Sequence, residues 1–195
     1  MTVLGINQIL IRIREEGLVE NLGARELENP EGVGVDFRLG ALFQITKGGA
    51  FIEADGEAGL GRRKGVQTKE IAAYQGEGER VKGKVKQKTV TLKSGQYYLA
   101  QTLEAVNTPH DLMPVVYPRT SLFRAGILML NSKTDPGYKG KLTFGMVNLS
   151  PFPVKLQMGA RICNMVFFKI DGESVAYRGQ HQGGRITPSK VEQQV

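Results

Sequence analysis

The chain has 195 residues, 41% of them apolar and 23% charged, with a formal net charge of +7, one cysteine and two histidines. That is ordinary globular usage with enough chain for one well-buried core, which excludes disordered and fibrous classes; a lone Cys163 excludes an internal disulfide and a multi-cysteine zinc site, and His110 and His181 are too few for a histidine-rich metal centre. No apolar run approaches the roughly 18 residues of a membrane span and the N-terminus lacks a signal-peptide series, so a cytoplasmic location without membrane contact is expected.

Residues 6–17, INQILIRIREEG, set Ile6, Ile9, Leu10 and Ile13 on one helical face, and Gly17 supplies a left-handed terminator. This is expected to be the only long helix. After Gly32, alternation with period two takes over: GVDFRLGALFQI, VTLKSGQYYLAQTLEAV, LMPVVY, KLTFGMVNL and PVKLQMGARICNMVFFKI read as short strands parted by Gly, Pro, Asn and Asp. Such a series predicts a mainly β sandwich or barrel in a single domain spanning 1–195. Residues 53–80, rich in glycine and charge, read as an inserted loop, and 179–195, poor in apolar side chains, as a mobile tail.

The positive charge is local. Between Arg62 and Lys93 there are ten Lys and Arg against three Glu, an excess equal to that of the whole chain. Lys82, Lys84, Lys86 and Lys88 share one strand face, with Val81 and Val85 on the other. No aromatic residue is interleaved to stack on bases, so a solvated face that discourages edge pairing is expected, and nucleic-acid binding is not.

Several stretches carry residues suited to chemistry. In VGVDFRLG, Asp36 stands near a strand mouth, where it could satisfy turn backbone or hold a metal-bound water beside a polyphosphate. In PRTSLFRAG, Arg119 and Arg124 flank Thr120 and Ser121, a set that could hold phosphate oxygens or merely form a surface turn. In TDPGYKGKLTFGMVN, Asp135-Pro136-Gly137-Tyr138 has the Pro-Gly pair of a type II turn. A turn alone explains neither the acid nor the ring. If the hairpin lines a pocket, Tyr138 can stack on a sugar, Asp135 can bind a hydroxyl or orient a water, and Gly137 and Gly140 let backbone approach a ligand. Leu156 to Phe168 reads mostly as core, with Cys163 as a small strand residue, and YRGQHQGGR at 177–185 suits a segment that orders over a phosphate chain or a solvated linker.

Taken in order, Asp36 in VDFRLG, then PRTSLFRAG, DPGYKG with its following VN, GARI, and YRGQ with its GG resemble the motifs of the dUTPase and dCTP deaminase superfamily, over roughly residues 3–189. The resemblance implies a distorted jelly-roll-like β-barrel with one N-terminal helix. It also implies a homotrimer with sites at subunit interfaces, Mg²⁺ bound through the substrate's phosphates, and a tail that closes over a site formed by other subunits. Carried over by position, Asp36 supports the hydrated Mg²⁺, and Arg119, Thr120, Ser121 and Arg124 surround the phosphates. Asp135 meets the 3′-hydroxyl and orients the attacking water, Tyr138 packs on the deoxyribose and excludes ribonucleotides, Gly140 lends backbone to the substrate pocket, and Arg178 and Gln180 contact the polyphosphate.

Superfamily deaminases use a glutamate in a strand pattern like T-L-E-L-x-N; this chain reads Thr143-Phe144-Gly145-Met146-Val147-Asn148. Gly145 offers no carboxyl for general acid/base work on the ring. Phosphate hydrolysis asks instead for a positioned water, cationic clamps and a metal, which suits Asp36, Asp135 and the arginines. The expectation is a dUTP diphosphatase that releases dUMP and pyrophosphate. A dCTP deaminase or bifunctional enzyme, and a non-catalytic nucleotide-binding member, are the alternatives. Departures from the pattern are Asn164 in place of a glutamine, a deaminase-like tail without the phenylalanine that stacks on the base, for which His181 is either the substitute or a solvent-exposed bystander, and a short spacing from Gly126 to Asp135 that leaves Asn131 without an assigned role.

Overall fold

The structure, a computed structural model, describes residues 2–55, 61–76, 80–81, 84–85, 87–188 and 190–193. Lys82 and Lys86 of the lysine stripe lie outside the described residues. Helix α1 (Ile6–Glu16) ends at Gly17 with φ 65°, its amide donating to the Arg12 carbonyl, as the apolar spacing and the glycine predict. There follow β1 (Val19–Glu20), α2 (Ala24–Glu28), β2 (Gly34–Lys47), β3 (Phe51–Ile52), β4 (Arg62–Lys64), β5 (Gln67–Ala73), β6 (Arg80–Val81), β7 (Lys84–Val85), β8 (Thr89–Leu92) and β9 (Tyr97–Asn107). The chain continues through β10 (Leu112–Pro118), α3 (Thr120–Arg124), β11 (Ile127–Leu130), β12 (Lys139–Asn148), β13 (Val154–Gln157), β14 (Arg161–Lys169) and β15 (Glu192–Gln193).

The main sheet runs β10-β14-β2-β9-β12-β11, with β1 added to β9 and β5 to β2. Every pairing is antiparallel. A bridge from Val115 of β10 to Lys133, just past β11, draws the two ends of the path together, so the sheet becomes a nearly closed β-barrel with few helices, as expected. Strand β9 alternates strictly: Tyr98, Ala100, Thr102, Glu104 and Val106 are buried, while Tyr97, Leu99 and Gln101 face the other way. The core gathers Phe37, Leu39, Leu42, Met146, Ile162 and Phe167, all essentially without exposure, and Ile9 seats α1 against it. One buried charge sits among them. Glu104 accepts from the Arg38 amide at 2.7 Å and from Arg38 Nε at 2.5 Å, so burial raises its carboxyl above the ordinary value while Arg38 opposes the rise.

Two segments carry contacts that their composition did not announce. The supposed loop at 53–80 contains β5, which pairs along β2 from Ala41 to Lys47. Of its side chains only Ala72 is fully buried, so an outer strand with a charged exposed face left no apolar alternation to read. The tail from 179 makes hydrogen bonds to other parts of its own chain. Gln182 Nε2 donates to the Gly137 carbonyl at 2.9 Å, Gln101 Nε2 to the Gly184 carbonyl at 2.7 Å, and β15 pairs with β4. These are polar attachments, which apolar content does not report.

Candidate active site

Most of the sequence-predicted residues gather in two separate cavities. The first, of about 580 Å³, is lined by Asp36 together with Arg119, Thr120, Ser121 and Arg124 at the turn from β10 into α3. Asp36, on β2, is only 4% exposed. Its Oδ1 accepts from Asn164 Nδ2 at 2.9 Å, and its Oδ2 from Arg161 Nη1 at 2.9 Å while also pairing with Arg119. Glu26 of α2, equally buried, accepts from the Asp36 amide at 3.1 Å and from Arg25 Nη1 at 2.6 Å, and stands 3.6 Å from Arg161. Two buried carboxylates therefore hold three arginines in fixed places. Burial, then repulsion from Arg161 and Arg25, pushes the Arg119 guanidinium below its ordinary value, the mark of a crowded cationic site. Such a site suits a polyanion, which can accept from several guanidinium groups at once.

It does not suit a protein-held metal. Among the described residues no three His, Cys, Asp or Glu come together, and both Asp36 oxygens are already taken by N–H donors. Asp36, expected to support a hydrated Mg²⁺, accepts from Arg161 and pairs with Arg119, and so orders the arginines.

The second cavity, of about 520 Å³, lies beside the hairpin between β11 and β12 and has Leu99, Leu130, Tyr138 and Gly145 among its walls. Asp135 opens the predicted turn: the Tyr138 amide donates to its carbonyl at 3.2 Å, and Gly137 takes φ 76°. The Asp135 carboxylate lines the cavity, paired with Lys133, and is the only acid among the described lining residues. Glu104, on the nearby β9, is buried on the opposite strand face with Arg38. Tyr138 donates its hydroxyl to the Lys141 carbonyl at 2.6 Å and meets Tyr177 edge-on at 5.4 Å; burial, reinforced by Tyr177, pushes its phenol up to about 12. Asn131 lines the same cavity and donates to the Val116 carbonyl at 2.5 Å, tying the loop to β10. Cys163 is fully buried and its thiol is pushed up by burial, as a packing residue should be.

The hairpin glycines and the tail depart from expectation. A Cβ on Gly140 would fall 2.6 Å from the Gly183 carbonyl carbon, and one on Gly137 would fall 2.8 Å from Ala176 Cβ. These glycines admit the close approach of the chain's own C-terminal segment. Arg178 is exposed and lines none of the cavities described, and Gln180 lines a third, of about 380 Å³. Neither reaches the arginine cavity of its own chain. His181 is half-buried and lines both the third cavity and the hairpin cavity, so it is not a solvent-exposed bystander. Among the described residues none lines both the arginine cavity and the hairpin cavity.

Sequence reasoning missed Arg25, Glu26 and Arg161. The last stands inside GARI, where its basic character was visible and its partner was not; the first two lie in the five-residue α2, too short for a periodic signal.

Residues 3–170 match the model of a family described as dCTP deaminase-like. The dUMP-forming dCTP deaminase of Sulfurihydrogenibium sp. is 38% identical over 98 residues, 49% of this chain and 54% of that protein. The dCTP deaminase of Pyrococcus furiosus is 36% identical over 116 residues, 56% of this chain and 74% of that protein. The chain thus spans about half the length of some of the curated relatives it matches. The crystal structure of 2′-deoxycytidine 5′-triphosphate deaminase from Agrobacterium tumefaciens shares the fold at a TM-score of 0.59 and 16% identity, covering 87% of this chain and 48% of that one.

Proposed function

The chain belongs to the dCTP deaminase-like family, and from that premise we propose that it is a nucleotide hydrolase of the dUTP diphosphatase type, converting dUTP and water to dUMP and pyrophosphate at a site completed between copies of the chain. The observation that carries this reading is the acid content of the hairpin cavity. Asp135 is the only carboxylate on its described walls, and bare Gly145 stands where superfamily deaminases carry their glutamate.

Asp135 orients a water and accepts its proton as the oxygen bonds to the α-phosphorus. The bond from that phosphorus to the bridging oxygen breaks, pyrophosphate leaves, and the proton passes from Asp135 to solvent. Arg119 and Arg124 spread the charge of the leaving phosphates, Thr120 and Ser121 donate hydrogen bonds to them, and the Tyr138 ring packs on the deoxyribose. Asp36 and Glu26 keep Arg119 and Arg161 extended toward the anion. Mg²⁺ enters with the nucleotide as part of the substrate; among the described residues no three His, Cys, Asp or Glu come together to hold it directly.

Completion between copies is supported by the split itself. A nucleoside triphosphate needs both the arginines and the hairpin, yet among the described residues of one chain none lines both cavities. Phe123 on α3, Leu128 and Leu130 on β11, and Phe152 beyond β12 are each at least 45% exposed, apolar surface suited to a second copy. A homotrimer with three such sites is the expected assembly, checked by light scattering.

A second reading, dCTP deamination, is favoured by the names of the relatives. One assay separates the two: pyrophosphate and ammonia release from dUTP, dCTP and UTP with Mg²⁺. Pyrophosphate from dUTP alone supports the diphosphatase, ammonia from dCTP moves the assignment to the deaminase, and silence with all three overturns both.

A further inference from the structure

The place left by the absent side chain at 145 is already filled. Gly145 of β12 lies in register between Leu99 of β9 and Leu130 of β11. Tyr97, two residues before Leu99 on the same strand face, reaches diagonally across the pair. A Cβ on Gly145 would fall 2.5 Å from the Tyr97 hydroxyl oxygen and 3.1 Å from the ring carbon that bears it. Glycine at 145 is therefore what allows the phenol to stand there.

The hydroxyls of the neighbouring tyrosines are committed. Tyr138 donates to the Lys141 carbonyl at 2.6 Å, Tyr98 accepts from the Lys93 amide at 3.0 Å, and Tyr177 accepts from the His181 amide at 3.2 Å. Among the described residues, the Tyr97 hydroxyl has no such partner. It lines the hairpin cavity, which also has Leu99 and Leu130 among its walls, and its residue is 37% exposed. A phenol with its hydroxyl uncommitted is able to donate to a ring carbonyl or accept from a ring N–H.

We infer that Tyr97 is a specificity-determining residue of this site, its hydroxyl bonding the polar edge of the pyrimidine from the position that a side chain at 145 would otherwise occupy. The inference rests on the assignment of the hairpin cavity to the nucleotide base. It makes Gly145 and Tyr97 one unit: the glycine removes a carboxyl from the ring and, by the same change, admits a neutral hydrogen-bonding group in its place.

The test uses the full-length protein with Tyr97→Phe, Gly145→Ala and the double variant. Loss of one neutral hydrogen bond is expected to raise the KM for dUTP about tenfold, with kcat within about twofold and an unchanged melting midpoint. Gly145→Ala, whose methyl displaces the hydroxyl, is expected to match it, and the double variant to be no worse than either single change, a non-additivity that two independent contacts would not give. In parallel, binding of the non-hydrolysable α,β-imido analogue of dUTP is measured by calorimetry. If the wild type turns over dUTP and Tyr97→Phe leaves KM unchanged, the inference is overturned while the diphosphatase assignment stands. If the wild type binds the analogue without turnover and Tyr97→Phe weakens that binding about tenfold, the inference stands and the diphosphatase assignment falls. A wild type that binds none of these nucleotides overturns both.

Discussion

The arginine cavity and the hairpin cavity solve opposite problems. Around Asp36, acids and guanidinium groups lock one another in place: Asp36 and Glu26 are buried and each accepts from several donors. Around Asp135 the walls include Leu99, Leu130 and Phe144, and the one acid is about 40% exposed beside Lys133. Charge in the first region is part of the fold, because removing one member leaves others buried without a counter-charge. Charge in the second can be removed without disturbing packing. A change in the arginine cavity should therefore register in stability as well as in ligand binding, and a change at the hairpin in substrate binding or turnover without a cost in stability.

The largest effect expected is on turnover. Asp135→Asn keeps shape and removes the proton acceptor, so kcat for dUTP should fall on the order of 10³-fold, with the melting midpoint unchanged in calorimetry. A fully active variant would remove Asp135 from the chemistry. The same variant also tests the division of the site. Mixed and reassembled with an inactive Arg119→Ala, it should regain activity, to about a quarter of the wild-type level if each site draws its arginines and its hairpin from different copies at random. No recovery after verified exchange of subunits would place both halves of a working site in one chain.

Next in size is the fold itself. Asp36→Asn leaves Arg119 and Arg161 facing one another without their shared carboxylate, at a cost of about 3 kcal/mol, which lowers the midpoint of a chain this long by roughly 6–12 °C. An unshifted midpoint would break the contrast, since Asp36 would then be as dispensable to folding as Asp135.

This contrast was partly legible in the sequence. Strands β2, β8, β9, β10, β12, β13 and β14 announced themselves because burial on one or both faces imposes alternation or continuous apolar runs, and the turn at 135–138 because Pro-Gly fixes its backbone. What the sequence hid was who meets whom. Arg161 and Asp36 are distant in the chain and become neighbours only because β14 pairs with β2 in one register. Tyr97 faces Gly145 through a diagonal that alternation does not specify. Gly140 advertises close approach but not the visitor, which proves to be the tail. The tail and β5 escaped because both are held by backbone and polar side-chain bonds with little apolar burial.

The smallest effect calibrates the others. Arg12 and Asp111 also join an arginine to an aspartate, bidentate at 2.7 and 2.9 Å, but with the Asp111 side chain 56% exposed. The Arg12 hydrogen bonds hold the Asp111 carboxyl below its ordinary value of 3.8 despite some desolvation. An acid depressed in the folded state adds stability that is fully present above its unfolded value and is lost as pH falls through the folded one. Water and salt screen this pair, so Asp111→Asn should cost no more than about 1 kcal/mol at neutral pH. The gap between variant and wild type should shrink as urea melts are repeated below pH 3.8, and should shrink again in 1 M salt, where screening acts within about 3 Å. Asp36, shielded by 4% exposure, should keep most of its effect in that salt. If both pairs respond to salt alike, burial does not distinguish the arginine cavity from an ordinary surface, and the electrostatic half of the comparison fails.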